Sequence, residues 1–318
     1  MVTGRRLRVV FFGTPQFAVP TLDALLASRH AVVGVVTQPD RPRGRGQKPT
    51  DAPVKARARA AGVTILQPDR LKDPAALNAL TALGADIGVV AAYGKILTEA
   101  VLAIPPRGMV NVHASLLPKY RGAAPVHRAV IAGETLTGVT IMRVVRALDA
   151  GAMLATVGRP IGPDDTSEEI ERDLSVLGAS LLVATLDRLA AGPVEEVPQD
   201  DSLATYAHRL SKEDGVVDWS RSAEAIHNQI RGLHPWPHAF SYVDGQRLIL
   251  LRSTWSPEPV DTVPGTIVIA QGDELGVATG AGMLRITELQ AEGRRAARTR
   301  EFLAGRRLLP GQRFSAAP

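Results

Sequence analysis

Apolar runs, broken at intervals by glycine, proline and polar clusters, divide the first half of this chain into alternating strands and helices. Leu7-Arg-Val-Val-Phe-Phe-Gly13 reads as a short buried strand ending at glycine. A continuous apolar run bounded by a turn signal suits a strand covered on both faces. A helix is expected from Thr14-Pro15 to about residue 26, and Pro20 within it implies a kink or a late start. Residues 31–37 form the second strand. Further strands are expected at 63–66, 86–91, 109–113, 137–145 and 153–160, with helices at 53–61, 74–83, 123–132 and 166–191. Tyr93-Gly94-Lys95 turns into a short helix, and Thr166-Ser-Glu-Glu169 has the spacing of a capping box. Strands alternating with helices predict the α/β class: about seven strands in a Rossmann-like, open, mostly parallel sheet.

The pattern changes near residue 192. Gly192-Pro-Val-Glu-Glu-Val-Pro-Gln-Asp-Asp201 is polar and proline-containing, as a linker is. Beyond it a helix is expected at 222–232. Short alternating segments follow at 240–243, 247–253, 266–270, 276–279 and 283–289, separated by glycine and proline, which predicts a small β-barrel. Trp219, Trp236 and Trp255, all the tryptophans, lie in this half. The expected division is a domain at 1–191, a linker at 192–210 and a second domain at 211–318. A length of 318 residues agrees with two domains.

Hydrophobic content of 45% and charged content of 22% are ordinary for a globular protein. The absence of cysteine excludes disulfides, thiolate zinc sites and a cysteine nucleophile. The N-terminal apolar stretch Val9–Phe12 is too short for a signal peptide, and no uninterrupted apolar run approaches the roughly 18 residues of a membrane span. A cytoplasmic enzyme acting away from membranes, and monomeric, is the expectation. The net charge of +5 is unevenly spread. Residues 37–59 hold seven Lys/Arg against two Asp, and residues 285–318 hold eight Arg against three Glu, so everything else is net acidic. Two concentrated basic segments suit a phosphate-backbone partner. A solvated surface in an arginine-rich composition would look the same. Within the first segment, Gln38-Pro-Asp-Arg-Pro-Arg-Gly-Arg-Gly-Gln-Lys-Pro49 cannot form a regular element, because three prolines and two glycines interrupt it. It presents Arg41, Arg43, Arg45 and Lys48 at the carboxyl end of a strand, beside the place where α/β sheets bind ligands.

Candidate chemistry centres on Asn111-Val-His113. Val110 and Val112 are apolar, as a buried strand requires, while Asn111 and His113 alternate with them and so share one side. Burying an amide and an imidazole costs free energy unless they are paired or used. Downstream, Leu148-Asp149-Ala-Gly151 places a carboxylate in a turn. Taken singly, each residue has a bland reading: Asn111 or His113 as a satisfied strand-end residue, Asp149 as a turn former. Together, an amide, an imidazole and a carboxylate make an acid/base site.

Asn111-Val-His113, Ser115-Leu-Leu-Pro118, Tyr120-Arg-Gly-Ala-Ala-Pro125, Thr137-Gly-Val-Thr-Ile-Met142 and Leu148-Asp149 resemble the folate-dependent formyltransferases, above all the branch that formylates methionyl-tRNA. The resemblance runs from Leu7 to about Phe314. It implies 10-formyltetrahydrofolate as the formyl donor, a substrate and not a resident cofactor, and initiator methionyl-tRNA as the acceptor, with no metal. It implies Asn111, His113 and Asp149 as the catalytic trio. It makes Ser115, Leu116, Leu117 and Pro118 the folate-binding segment, the loop with Arg41, Arg43, Arg45 and Lys48 the tRNA-reaching insertion, and the C-terminal domain an OB-like barrel that holds tRNA. The chain departs from the pattern at Ala150 and Ala152, where relatives usually carry Thr and Asp, and at Gln47 and Asp51, in a stretch usually more basic or serine-rich.

Other chemistries lack their signatures. Gly13-Thr-Pro-Gln is not a dinucleotide fingerprint, and neither a P-loop nor a G-x-S-x-G elbow occurs. His234-Pro-Trp-Pro-His238 has histidines four apart, but two prolines prevent a helical metal-binding face, so a structural loop is expected. The alternatives are a formyltransferase for a small amine such as a sugar nucleotide or glycinamide ribonucleotide, a formyl-folate hydrolase, or a non-catalytic tRNA-binding relative. A small acceptor needs neither the basic loop nor the second domain.

Overall fold

The computed structural model describes residues 5–40, 42–43, 48–49 and 51–317, with backbone alone at 42–43 and 48–49. Seven strands, β1 (Arg8–Gly13), β2 (Ala31–Val36), β3 (Ile65–Leu66), β4 (Ile87–Ala91), β5 (Met109–His113), β6 (Leu136–Arg143) and β7 (Met153–Pro160), form one sheet in the order β7-β6-β5-β4-β1-β2-β3. The pairs β1–β2, β1–β4, β2–β3 and β4–β5 are parallel, and β6 runs antiparallel to β5. The central strands carry the buried core, with Val9, Phe11, Ile87 and Val89 fully excluded from solvent. Such burial is expected of a parallel sheet covered on both faces.

Three helices begin at the prolines that suit a first turn: Pro53–Ala60, Pro74–Ala82 and Pro125–Ile131. Pro20 produces the late start: a 3₁₀ turn, Gln16–Ala18, precedes the helix Val19–Ala27. The capping box closes as its spacing requires. The Thr166 N–H donates to Glu169 Oε2 at 2.8 Å, the Thr166 hydroxyl donates to the same oxygen at 2.6 Å, and the helix Ser167–Ala191 follows. That helix is long and apolar enough to cross a membrane by length and composition, which the sequence reading did not expect. Here it covers the sheet. Leu174, Leu182 and Leu186 are fully buried, and Gly178 stands so close to Val112 and Val139 that an added Cβ would come within 2.8 Å of Val112.

Two expectations change. Within 38–49, Pro42–Arg43 pairs antiparallel with Lys48–Pro49, so the segment does contain a ladder. Its outer pair is two prolines, which donate no N–H, so only Arg43 and Lys48 can exchange such bonds. The stretch 192–201 is a connection, but it is bound into the first unit. Val197 bridges Met153, and Tyr206–Ala207 pairs parallel with Arg121–Gly122.

By density of internal contact the chain forms two compact units. The first comprises Met1–Pro125, Thr137–Pro160 and Glu171–Ala207; the second comprises Val126–Leu136, Ile161–Ile170 and His208–Pro318. In the second, Ala239–Val243, Gln246–Ser256, Met283–Ala291, Glu274–Ala278 and Ile267–Gln271 lie side by side in that order, as an OB-like barrel. The C-terminal residues join its two edges: Ser315 bridges Tyr242, and Arg313 bridges Thr266. Trp219, buried beneath them, donates its indole N–H to Ser241 Oγ at 2.9 Å and packs on Phe314 with ring centroids 5.0 Å apart. The helix Ala223–Gly232 recruits the segment at 161–170. His227 Nε2 donates to the Pro163 carbonyl at 2.9 Å, and Arg231 donates to the carbonyls of Gly162 and Asp165 at 3.2 and 3.0 Å.

Candidate active site

β5 places Asn111 and His113 two residues apart, hence on one side of the sheet, while Val110 and Val112 are buried. His113 is only 5% exposed. Its Nε2 lies 3.0 Å from the Tyr120 carbonyl, an acceptor only, so Nε2 carries hydrogen and donates. Nδ1 faces Asp149 Oδ2 at 3.8 Å, an electrostatic contact longer than a hydrogen bond. Asn111 is half-buried, and no hydrogen bond among the described residues claims its carboxamide.

Asp149 reaches His113 by an indirect path. Because β6 is antiparallel to β5, its exit at Arg143 pairs with Val110, two residues before Val112 on β5. The connection 144–152 then folds back. Gly151 lies so close to the Arg143 carbonyl that an added Cβ would stand 1.9 Å from that oxygen, so only glycine fits. Asp149 has φ 47°, Tyr120 φ 63° and Gly122 φ 121°, a cluster of left-handed conformations around one carboxylate. Asp149 Oδ2 accepts the Gly122 N–H at 2.8 Å. The Gln199 Nε2 donates to the carbonyls of Asp149 and Gly151, each at 2.8 Å.

Strand β5 and the connection 144–152 therefore present a free carboxamide, an imidazole whose ring plane is fixed and a carboxylate, on one sheet face. This arrangement can donate to a carbonyl oxygen gaining charge and can move a proton. Residues 6–186 match the family Formyl transferase, and residues 209–307 match Formyl transferase, C-terminal domain. The chain belongs to the formyl transferase family. Among relatives of this formyl transferase, the methionyl-tRNA formyltransferase of Geobacter sulfurreducens is 46% identical over 311 residues, 98% of each chain. That of Heliobacterium modesticaldum is 48% identical over 316 residues, 97% of this chain and 100% of its own. Two solved structures share the fold. An N-formyltransferase from Helicobacter canadensis in complex with folinic acid and dTDP-3-aminofucose has a TM-score of 0.65 at 16% identity, covering 88% of this chain and 99% of that one. HypX from Aquifex aeolicus with tetrahydrofolic acid has a TM-score of 0.63 at 17% identity, covering 94% of this chain and 47% of that one.

The segment 115–118 of this formyl transferase is internally tied. The Ser115 hydroxyl donates to the Lys119 carbonyl at 2.7 Å. The Thr140 hydroxyl donates to the Ser115 carbonyl at 2.8 Å and accepts the Leu117 N–H at 3.1 Å. Those groups are committed within the protein. Leu116 and Pro118 remain half-buried, with Leu116 lying against Gly138. Thr140, which stands within the Thr137–Met142 run, gains its role as the tie for Ser115 and Leu117 only in the folded chain.

Of the basic-loop residues, Arg41 and Arg45 lie outside the described residues, and Arg43 and Lys48 are described by backbone alone. The base of the loop is pinned to the sheet. Gln38 Nε2 donates to the Tyr93 carbonyl at 2.8 Å, and Gln67 Nε2 donates to the Gln38 carbonyl at 2.9 Å. The other cations of this basic segment are paired: Lys55 with Asp40 and Asp51, Arg57 with Asp23, and Arg59 with Asp51. The Lys55 ammonium beside Asp40 holds that carboxyl below its usual range. Tyr93, edge-on to Phe12 with centroids 5.5 Å apart, is buried, and burial pushes its phenol up to about 12. His234 and His238 lie in a loop with ring centroids 5.4 Å apart, and no cluster of three metal-ligating side chains occurs among the described residues.

Proposed function

We infer that this chain transfers the formyl group of 10-formyltetrahydrofolate to the α-amino group of methionine on initiator tRNA. The observation that carries this reading is the convergence of Asn111, His113 and Asp149 on one sheet face, in a member of the family that matches both its domains. The free methionyl amine attacks the formyl carbon, and the new C–N bond pushes the carbonyl electrons onto oxygen. The Asn111 amide donates to that oxyanion, the kind of contact whose loss costs about 2.7–4 kcal/mol of barrier. Asp149 takes the proton from the attacking nitrogen, directly or through one water. The oxyanion's electron pair then re-forms the carbonyl as the C–N bond to the folate breaks, and the proton taken up by Asp149 is passed on to the leaving folate nitrogen. His113, its Nε2–H held by the Tyr120 carbonyl and its Nδ1 turned toward Asp149, stands beside the developing oxyanion and can carry a proton between that carboxylate and the reacting atoms. Folate stays a substrate and no metal takes part.

The acceptor is supported by relatives of full-length similarity named for methionyl-tRNA, and by the basic loop and second unit, which a small amine does not require. We place the enzyme in the cytoplasm, as a monomer. The test is formyl transfer to charged initiator tRNA, with elongator methionyl-tRNA and free methionine as parallel acceptors. Transfer confined to initiator tRNA is the expected result. Equal transfer to free methionine, or none to tRNA, overturns the acceptor assignment.

A further inference from the structure

The connection carrying Asp149 is tied at its ends, by Arg146 to Glu99 and by the Arg143 N–H to the Ala152 carbonyl at 2.9 Å, but the turn just after the carboxylate has no polar side chain of its own. Ala150, Gly151 and Ala152 offer no side-chain donor or acceptor, and Asp149 sits at φ 47°, a conformation that needs support. The carbonyls of Asp149 and Gly151 are held instead by one group, Gln199 Nε2, at 2.8 Å each. The orientation of that amide is dictated from behind. Gln199 Oε1 accepts from Arg121 Nε at 3.0 Å and Nη2 at 2.8 Å. A guanidinium only donates, so it faces the amide oxygen, and the amide nitrogen must face the two carbonyls. Arg121 is 4% exposed and also donates to Asp201 at 2.6 Å. The next residue, Gly122, donates its backbone N–H to Asp149 Oδ2. Asp149 is thus gripped at both ends, its carboxylate by Gly122 and its carbonyl by Gln199, and both grips lead back to the Arg121-Gly122 dipeptide. The parallel bridge of Arg121–Gly122 with Tyr206–Ala207 holds that dipeptide in place.

We propose that Gln199, oriented by the buried Arg121, is a positioning residue for formyl transfer that fixes Asp149 against His113. This rests on the reading of Asp149 as the proton-handling carboxylate. Gln199 touches neither substrate nor reacting atom in this account. It acts through the backbone of 149–151, so its loss lowers turnover by misplacing a carboxylate and leaves substrate binding nearly intact.

Gln199→Glu is the sharpest test. The shape and the pairing with Arg121 survive, while an oxygen replaces the N–H groups and meets two carbonyl oxygens. Gln199→Ala serves as a second variant that removes the contact without repulsion. Both are measured in the full chain, with charged initiator tRNA and 10-formyltetrahydrofolate, alongside Asp149→Asn and the Q199E/D149N double variant under single-turnover conditions with excess enzyme. The expected result is a kcat lowered about 10- to 100-fold in Q199E and less in Q199A, with KM for both substrates within about threefold. The pH–rate profile of Q199E should be displaced. In the D149N background the Q199E change should cost less than about twofold, because a residue acting only through Asp149 has nothing left to position. The proposal is overturned if Q199E and Q199A turn over like wild type while D149N is impaired, or if Q199E costs as much with D149N as without it. Wild-type turnover by D149N would instead remove the reading of Asp149 itself.

Discussion

At the scale of single residues, Asn111 has the plainest test. Its carboxamide is half-buried and unclaimed on a strand that otherwise buries its side chains. Asn111→Ala should lower kcat about 10²- to 10³-fold with little change in folate or tRNA KM, as loss of an oxyanion donor does. Steady-state kinetics with both substrates varied checks this, and a change in KM alone refutes the role. His127, in the helix Pro125–Ile131, offers a stability test. Burial, with Arg128 beside it, pushes its imidazole from 6.5 down to about 4. Between those values the unfolded chain binds a proton that the folded chain refuses, so acidification favours unfolding. After discounting for partial exposure, this is worth on the order of 1–2 kcal/mol between pH 7 and pH 5. Denaturant midpoints should fall over that range, and His127→Gln should flatten the fall. Neither His127 nor Thr140 could be assigned these roles from sequence, because what each meets is set by segments distant along the chain.

At the scale of elements, the basic loop and the long helix are the informative cases. Lys55, Arg57 and Arg59 pair with acidic partners, and the sequence resemblance assigns the tRNA-reaching role to Arg41, Arg43, Arg45 and Lys48. Replacing Arg41, Arg43 and Arg45 together by alanine should reduce kcat/KM for tRNA and flatten its dependence on salt, because fewer counterions are then released on binding. Transfer to a minimal acceptor should change little. The capping box was legible because its hydrogen bonds are local. Thr166→Ala should cost about 1 kcal/mol of stability, read as a shift in denaturant midpoint. The Thr166 hydrogen bonds hold the Glu169 carboxyl below its usual range. The stability they add is therefore present above the ordinary Glu pKa and is lost as the pH falls through the lowered value. The connection at 192–201 reads as a linker because its composition is polar. Its use as a brace for Asp149 depends on Gln199 meeting Arg121, residues 78 apart in sequence.

At the scale of the molecule, the second unit is assembled from three stretches of chain, Val126–Leu136, Ile161–Ile170 and His208–Pro318. A fragment ending at Ala207 would take from the first two their partners in the third, including Arg231, which binds the Gly162 and Asp165 carbonyls. Ile131, which lies against Gly232, would lose that cover. Such a fragment should unfold at lower temperature than the full chain and aggregate, which thermal scans and light scattering would detect. Contiguous domains were expected because composition changes near residue 192, and composition reports on neighbours in sequence, whereas these units are defined by contact.

The alternation of strands and helices, the seven-stranded sheet, the small barrel and the Asn111–His113 pairing all followed from short-range physics. Period-two alternation puts residues i and i+2 on one side of a strand, proline marks first turns, and glycine marks ends. The tertiary structure alone decided where the carboxylate went. Asp149 leaves an antiparallel strand at the end away from His113 and returns to it only through a connection held by Gly122 and Gln199. It likewise decided how the barrel closes, with Arg313 and Ser315 joining its edges. Strand direction, chain reversal and contacts between remote segments depend on which surfaces are buried together, and no periodicity within a single stretch records that.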